Sequence, residues 1–229
     1  MGTSSGGPLE TKGRPLIVDQ VKGVVIDGMG PDFDVERRLL MAGYSVVAGV
    51  DEVGRGPLAG PVTAAAVVLQ PDQIPEGLAD SKKLSATRRE FLFAEIQKVA
   101  RVCVAHASVE EIDELNILRA SHLAMCRAVE GLGVVVDHAL IDGNMVPRDL
   151  ALPATALIKG DGRSVSIAAA SIMAKVVRDL IMVDLAQQHP GYGWEKNAGY
   201  PTKLHREALQ NLGVTPHHRR SFKTVHNML

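Results

Sequence analysis

Cysteine is scarce in this chain, with two residues, Cys103 and Cys126, among 229. Both sit in apolar contexts without metal-ligand spacing. That excludes a thiolate metal site or a disulfide scaffold and leaves two buried, reduced thiols. Long hydrophobic runs are also missing: no segment approaches the roughly 18 apolar residues of a membrane helix. The N-terminus lacks the charged, apolar, small-residue order of a secretion signal, so a cytoplasmic protein with no membrane partner is expected. No charge dominates, since 25 Lys and Arg face 26 Asp and Glu for a formal net charge of −1. A uniformly basic nucleic-acid coat is therefore excluded, but a local basic patch is not. Several reaction signatures are absent as well. There is no Gly-x-x-x-x-Gly-Lys-Ser/Thr phosphate loop, no His-Glu-x-x-His and no Gly-x-Ser-x-Gly, and the glycines from Gly54 to Gly60 are wrongly spaced for a dinucleotide fingerprint.

What remains is a chain with 46% hydrophobic residues, enough for one large domain with a sizeable core. Residues 1–15 are small and polar and read as a tail. Short strand-like runs follow before Met29, then a short helix over Asp34–Ala42. Five strands are expected at Ser45–Val53, Val62–Leu69, Val102–Ala107, His138–Ile141 and Ala154–Ile158. Helices are expected at Ala86–Ala100, after a Ser108/Glu111 capping box, at Ile117–Gly131 capped by Asn116, at Ile167–Leu185, and near Thr202–Leu212. In the Ile117 helix, Leu118, Leu123, Met125 and Val129 are expected to face inward. The first two strands make a hairpin and the rest alternate with helices, which implies an α/β fold: a mixed five-stranded sheet flanked by helices. Residues 1–40 form an extension, partly disordered, and 41–229 the main domain, with a helical part from about 191. That last part is rich in Lys196, Lys203, Arg206, Arg219, Arg220, Lys223, His205, His217, His218 and His226, a basic patch hidden by the net charge.

Asp51, Glu52, Asp142 and Asp161 all stand at expected strand ends, where sites form in open α/β sheets. Four converging carboxylates repel one another unless cations bind among them. All-oxygen donors favour hard ions, Mg²⁺ or Mn²⁺, and a pair of them about 3.5–4 Å apart suits phosphodiester hydrolysis. One difficulty is geometric. Neighbours on a regular strand point to opposite faces, so Asp51 and Glu52 share a site only if the strand ends or bulges there. Asp179 competes with Asp161 as the fourth carboxylate, but Lys175 four residues earlier can pair with it, which favours a structural role. Taken alone, Asp142-Gly143 is an ordinary turn.

Nucleic-acid signals lie beside these acids. Gly54-Arg55-Gly56 can offer backbone polar groups to a ribose 2′-OH, Lys82 and Lys83 can meet phosphates, and Tyr200 can stack on a sugar or base. Each has a plainer reading: a hairpin turn, a solvated lysine pair, a partly buried core tyrosine. Their weight comes from occurring together next to a carboxylate set that needs a polyanionic substrate.

Asp51-Glu52-Val53-Gly54-Arg55-Gly56-Pro57-Leu58-Ala59-Gly60-Pro61 resembles the signature of bacterial ribonuclease HII. The resemblance runs on through Asp80-Ser81-Lys82-Lys83-Leu84, Leu140-Ile141-Asp142-Gly143-Asn144, Lys159-Gly160-Asp161, Gly199-Tyr200-Pro201 and His217-His218-Arg219-Arg220-Ser221-Phe222. It implies an RNase H-like fold and a monomeric Mg²⁺- or Mn²⁺-dependent endonuclease with two ions when substrate is bound. The implied substrates are RNA–DNA hybrids and ribonucleotide-containing duplex DNA, cut 5′ of a single embedded ribonucleotide. It further implies Asp51, Glu52, Asp142 and Asp161 as metal ligands, Gly54, Arg55 and Gly56 as readers of the 2′-OH, and Tyr200 as the residue packed on the junction sugar. The sister family, ribonuclease HIII, varies the Gly-Arg-Gly turn and adds an N-terminal domain for which 40 residues are too few.

Overall fold

A computed structural model describes residues 30–229. The polar tail and the strand-like runs expected before Met29 lie outside the described residues. Five strands, β1 (Val47–Val53), β2 (Val62–Val68), β3 (Arg101–Ala107), β4 (His138–Asp142) and β5 (Ala154–Leu157), form one mixed sheet in the order β3-β2-β1-β4-β5. The β1–β2 and β2–β3 pairs are antiparallel, whereas β4 runs parallel to both β1 and β5. All seven residues of Val-Thr-Ala-Ala-Ala-Val-Val in β2 are buried, as its unbroken apolar run requires of a strand covered on both faces.

Among the described residues there are eight helices: α1 (Asp34–Met41), α2 (Ala86–Val99), α3 (Val109–Leu115), α4 (Ile117–Glu130), α5 (Val165–Gln188), α6 (Trp194–Asn197), α7 (Lys203–Leu212) and α8 (Lys223–His226). Their starts follow from local chemistry. Ser108 Oγ accepts from Glu111 N–H while Glu111 Oε2 accepts from Ser108 N–H, the full capping box of α3. Asn116 Oδ1 accepts from the N–H groups of Leu118 and Arg119 and starts α4. One face of the sheet packs on α4, where Ala120, Ala124 and Ala128 join Met125 and Val129 against Ala64 and Ala66. The expected Leu118 and Leu123 are only half-buried, because small side chains let α4 lie close and turn its leucines toward the margin. The other face packs on α5 and α2 through Ala65, Val67, Leu92, Ile96 and Ala169.

At 24 residues, α5 starts earlier and ends later than its apolar pattern indicates. Gly49 makes its close approach possible: a Cβ there would lie 2.2 Å from the carbonyl carbon of Ser166. The division drawn after residue 40 falls inside α1, whose Val35, Glu36 and Leu39 are buried near Val47, Leu140 and Ile167. Of the two thiols, Cys126 is buried, but Cys103 is half-exposed because it lies on β3, an edge strand.

Candidate active site

The strands β1 and β4 run side by side, with Val50 opposite Ile141 as their last shared rung. Asp51 and Asp142 are each one residue further on, so the parallel pairing brings both to the carboxyl edge of the sheet. β5 then leads into a short 3₁₀ turn, Gly160–Gly162, which carries Asp161 back over this edge. Gly160 N–H donates to Asp142 Oδ1 at 2.6 Å and ties that turn to β4. One oxygen each from Asp51, Asp142 and Asp161 lies within 4.8 Å of the others.

Glu52 is not part of this closest group. The β1–β2 register is regular from Gly49↔Val67 to Val53↔Thr63, so no bulge is present. Asp51 therefore faces α5, and Glu52 faces the opposite side, into a cleft lined with Arg55, His122, Asn144 and Asp142. Of the two alternatives, a strand end or a bulge, the bulge is absent. Asp142, at a strand end, adjoins both sides, and its charge acts on Asp51 and Glu52 alike.

Burial pushes the Asp51 pKa well above the ordinary aspartate value, and the charges of Glu52 and Asp142 push it further. A hydrogen bond with the Ser171 side chain opposes this, as does the Glu52 N–H, which donates to Asp51 Oδ1 at 2.7 Å. The Glu52 pKa is also raised by burial, although Arg55 (Nη1 to Oε1, 3.3 Å) pulls it down. Burial raises Asp161 as well, followed by the charges of Asp142 and Asp80. Asp80 is thus a further carboxylate at this edge, beyond the four expected from the sequence. Its signal was its place directly before Ser81-Lys82-Lys83, since its side chain accepts from Lys82 N–H and starts the 3₁₀ turn Ser81–Lys83. Ser81 Oγ and Ser171 Oγ, 2.8 Å apart, dock that turn on α5. Burial works against the Lys82 charge, yet the fields of Asp51, Asp80, Asp161 and Asp142 outweigh it and raise its pKa. Lys82 therefore lies within the field of the acids, and both it and Lys83 are exposed residues of the turn. Asp179 takes the structural place expected of it, with Lys175 Nζ 2.7 Å from its Oδ1.

The Gly54–Pro61 turn is held from beneath by two arginines. Arg178 donates from Nε to Pro61 C=O (3.0 Å), from Nη1 to Ala198 C=O (3.0 Å) and from Nη2 to Ala59 C=O (3.2 Å). Arg219 donates from Nε to Gly60 C=O (2.9 Å) and from Nη1 to Arg55 C=O (3.1 Å), and its Nη2 reaches Gly54 C=O (2.6 Å) and Pro61 C=O (3.1 Å). Both are fully buried, and neither pairs with a carboxylate among the described residues. Burial lowers the pKa of Arg178 to about 10, and burial together with the Arg178 charge lowers that of Arg219 to about 9. Both stay charged at neutral pH. The carbonyls of Gly54 and Arg55 are thus turned inward, while the N–H groups of Arg55 and Gly56 have no acceptor among the described residues. Gly54 has φ +91°, and a Cβ there would fall 2.1 Å from Arg178 Nε, so only glycine fits.

Tyr200 lies against this turn, 42% exposed, with its Cε1 3.3 Å from where a Gly56 Cβ would be. A buried histidine pair sets its backbone. His205 Nδ1 donates to Tyr200 C=O (3.0 Å) and His205 Nε2 accepts from Trp194 Nε1 (3.0 Å). His218 Nδ1 accepts from Thr215 N–H (3.0 Å), which leaves its Nε2–H to face His205 Nε2 at 3.1 Å. This pattern fixes both tautomers as neutral. It also corrects the expected basic patch: His205, His218 and Arg219 are interior residues. Lys196, Lys203, Arg206, Arg220 and Lys223 remain exposed. Spacing along the chain could not separate the two groups, because burial here depends on how the 213–222 loop folds under the Gly54 turn.

A family model described as Ribonuclease HII matches residues 48–225. The chain belongs to the ribonuclease HII family. Membership makes it a hydrolase of phosphodiester bonds in RNA, and the clustered carboxylates accord with metal-dependent nuclease chemistry. A ribonuclease HII from Ruegeria pomeroyi is 70% identical over 199 residues, covering 87% of this chain and 85% of the relative. Among solved structures, ribonuclease H2 from Pyrococcus horikoshii is similar with a TM-score of 0.67 and 28% identity, covering 80% of this chain and 97% of that one. Bst-RNase HIII, in complex with Mn²⁺, aligns with a TM-score of 0.65 over 81% of this chain and 70% of its own; at 19% identity it speaks to the fold alone. The five-stranded mixed sheet with flanking helices is therefore the RNase H-like fold. Among the described residues, no helix is long and apolar enough to cross a membrane.

Proposed function

We propose that this ribonuclease HII family member hydrolyses the RNA strand of RNA–DNA hybrids and incises 5′ of single ribonucleotides in duplex DNA. Hydrolysis would use two divalent ions and leave 3′-OH and 5′-phosphate ends. The observation that carries the reading is the meeting of the Asp51, Asp142 and Asp161 oxygens within 4.8 Å of one another, next to a turn whose Arg55 and Gly56 N–H groups have no acceptor among the described residues.

The donor set fits hard cations. It is all carboxylate, it is partly buried, and the high pKa of Asp51 marks a negative charge that lacks enough positive compensation. Asp51, Asp142 and Asp161 would hold one Mg²⁺ or Mn²⁺, and Glu52 with Asp142 would help to hold a second. Such ions, when bound, lower the pKa of water and neutralise charge on phosphoryl oxygens. Lys82 would keep the scissile phosphate close to the acids. The N–H groups of Arg55 and Gly56 would meet the ribose 2′-oxygen, and Tyr200 would pack on the adjoining sugar. The two buried arginines stiffen the turn and add positive potential beneath it, which favours an electron-rich partner. The 2′-OH acts in recognition and is not the nucleophile.

The test is cleavage of a duplex with one embedded ribonucleotide and of a long hybrid, each with Mg²⁺, Mn²⁺ or chelator. Incision 5′ of the ribonucleotide with 3′-OH ends is the expected result. Products ending in 2′,3′-cyclic phosphate, or full activity in chelator, would overturn the mechanism.

A further inference from the structure

The N-terminus of α5 is buried, and free N–H groups at a helix start need partners wherever water is excluded. Here much of the supply comes from another part of the chain. Val165 N–H donates to Asp32 C=O at 3.1 Å, Ser166 N–H donates to Glu36 Oε1 at 2.9 Å, and Ile167 N–H donates to Ser164 Oγ at 3.2 Å. The Ser164 hydroxyl then donates to the same Glu36 Oε1 at 2.6 Å. Glu36 stands on α1 and is 1% exposed. It lies outside residues 48–225, the span of the family model. No Lys or Arg pairs with it among the described residues. Burial raises its pKa, with the Ser164 and Ser166 bonds opposing.

The segment thus capped is continuous with the acidic centre. Ser164 N–H donates to Gly160 C=O at 2.8 Å, closing the turn that bears Asp161. Gly160 N–H holds Asp142 Oδ1 at 2.6 Å. On its other side, Ser166 rests directly on β1 at Gly49. An unbroken run of short hydrogen bonds therefore joins Glu36, Ser164, Gly160 and Asp142, with Asp161 carried inside the run.

We propose that Glu36 is a positioning residue for the acidic centre: by fixing the start of α5 through Ser164 and Ser166, it sets where Asp161 and Asp142 stand. The inference rests on the reading of those carboxylates as ion-binding groups. Glu36 itself touches neither ion nor substrate. If it served stability alone, any change that loosens α1 would act alike. A positioning role confines the loss of ion affinity to changes that break the hydrogen bonds joining Glu36, Ser164 and Ser166.

Three variants in the full chain separate these roles. E36L keeps bulk but removes the acceptor, E36Q keeps Oε1, and V35A loosens α1 packing without touching the hydrogen bonds. Mn²⁺ affinity is measured by direct titration, and amide hydrogen exchange is followed over residues 160–168. Expected for E36L is about tenfold weaker Mn²⁺ binding, the loss typical when a group that orients metal ligands is removed, with faster exchange of the Ser166 and Ile167 amides. E36Q should bind Mn²⁺ nearly as the wild type does, and V35A should lower Tm without changing affinity. If E36L does not fold, S164A gives a second comparison by removing the hydroxyl that bridges to Glu36 and caps Ile167 N–H. Wild-type Mn²⁺ affinity in E36L and S164A, or equal losses in E36L and V35A, would overturn the proposal. D51N distinguishes the underlying reading: if it binds Mn²⁺ normally, the carboxylates are not the ion site.

Discussion

Replacing Asp51 by Asn should stabilise the metal-free protein while weakening its response to divalent ions. Asn keeps the volume and the Oδ1 acceptor for Glu52 N–H, 2.7 Å away, so the change is almost purely electrostatic. Two full charges at 4.8 Å, the outer limit of the Asp51–Asp142–Asp161 group, repel by about 3.5 kcal/mol at an effective dielectric constant of ~20. Protonation relieves part of that strain, so a net gain of roughly 1–3 kcal/mol is expected at pH 8, or about 3–10 °C in Tm for a domain of this size. The pH dependence follows from the raised pKa of Asp51. Its folded form holds a proton that the unfolded chain releases near the ordinary aspartate value. The stability tied to that proton is complete below the unfolded pKa and is lost as pH rises through the folded one. The advantage of D51N over wild type should therefore grow from acid toward alkaline pH. Mn²⁺ should reverse the order, because the wild type, with all of its carboxylates, gains more binding free energy from it. The assay is thermal unfolding in chelator and in Mn²⁺ across this pH range. A less stable metal-free D51N at pH 8, or a Mn²⁺-induced Tm rise equal to wild type, would refute the reasoning.

Three further outcomes are expected. R219M leaves the carbonyls of Gly54, Arg55, Gly60 and Pro61 without their shared donor; it should destabilise by roughly 2–4 kcal/mol, since releasing an unpaired buried charge offsets part of the lost bonding. Denaturant unfolding and the preference for a single ribonucleotide over a long hybrid should both fall, and an unchanged pair of values would count against the clamp. Y200A removes a stacking partner worth about 1–3 kcal/mol; incision at single ribonucleotides should drop about tenfold or more in kcat/KM with Mn²⁺ affinity intact, and a parallel loss of affinity would contradict the assignment. Burial, with the neighbouring His205 ring, lowers the His218 pKa to about 3, below its unfolded value. The stability linked to neutral His218 is complete above the ordinary histidine pKa and is lost as pH falls toward the folded one, so H218Q should flatten the acid limb of unfolding profiles, and an unaltered limb would exclude this pair as its source.

Much of the fold was legible because local rules suffice for it. The Ser108/Glu111 box and the Asn116 cap start their helices where the side chains alone dictate. The apolar run in β2 could only be a strand buried on both faces. Asp51, Asp142 and Asp161 were readable as a group because each ends an apolar strand or the loop after one, and parallel pairing places such ends on one edge. Less legible were residues whose role depends on distant partners. Asp80 stands in a motif without an assigned role, Arg219 counts as part of a basic patch, and Glu36 is an unremarked residue of the short Asp34–Ala42 helix.

The sequence by itself determined the order of strands and helices, the carboxylates at strand ends and the glycine turn beside them, since periodicity, capping and turn chemistry act within a few residues. Only the tertiary structure decided that Asp51 and Glu52 part to opposite sides of an unbulged strand with Asp142 between them. It alone decided that two arginines from α5 and the C-terminal loop go inside to grip the turn. The reason is physical: a buried charge is tolerable only where remote backbone carbonyls or carboxylates converge on it, and that convergence exists only once the chain is folded.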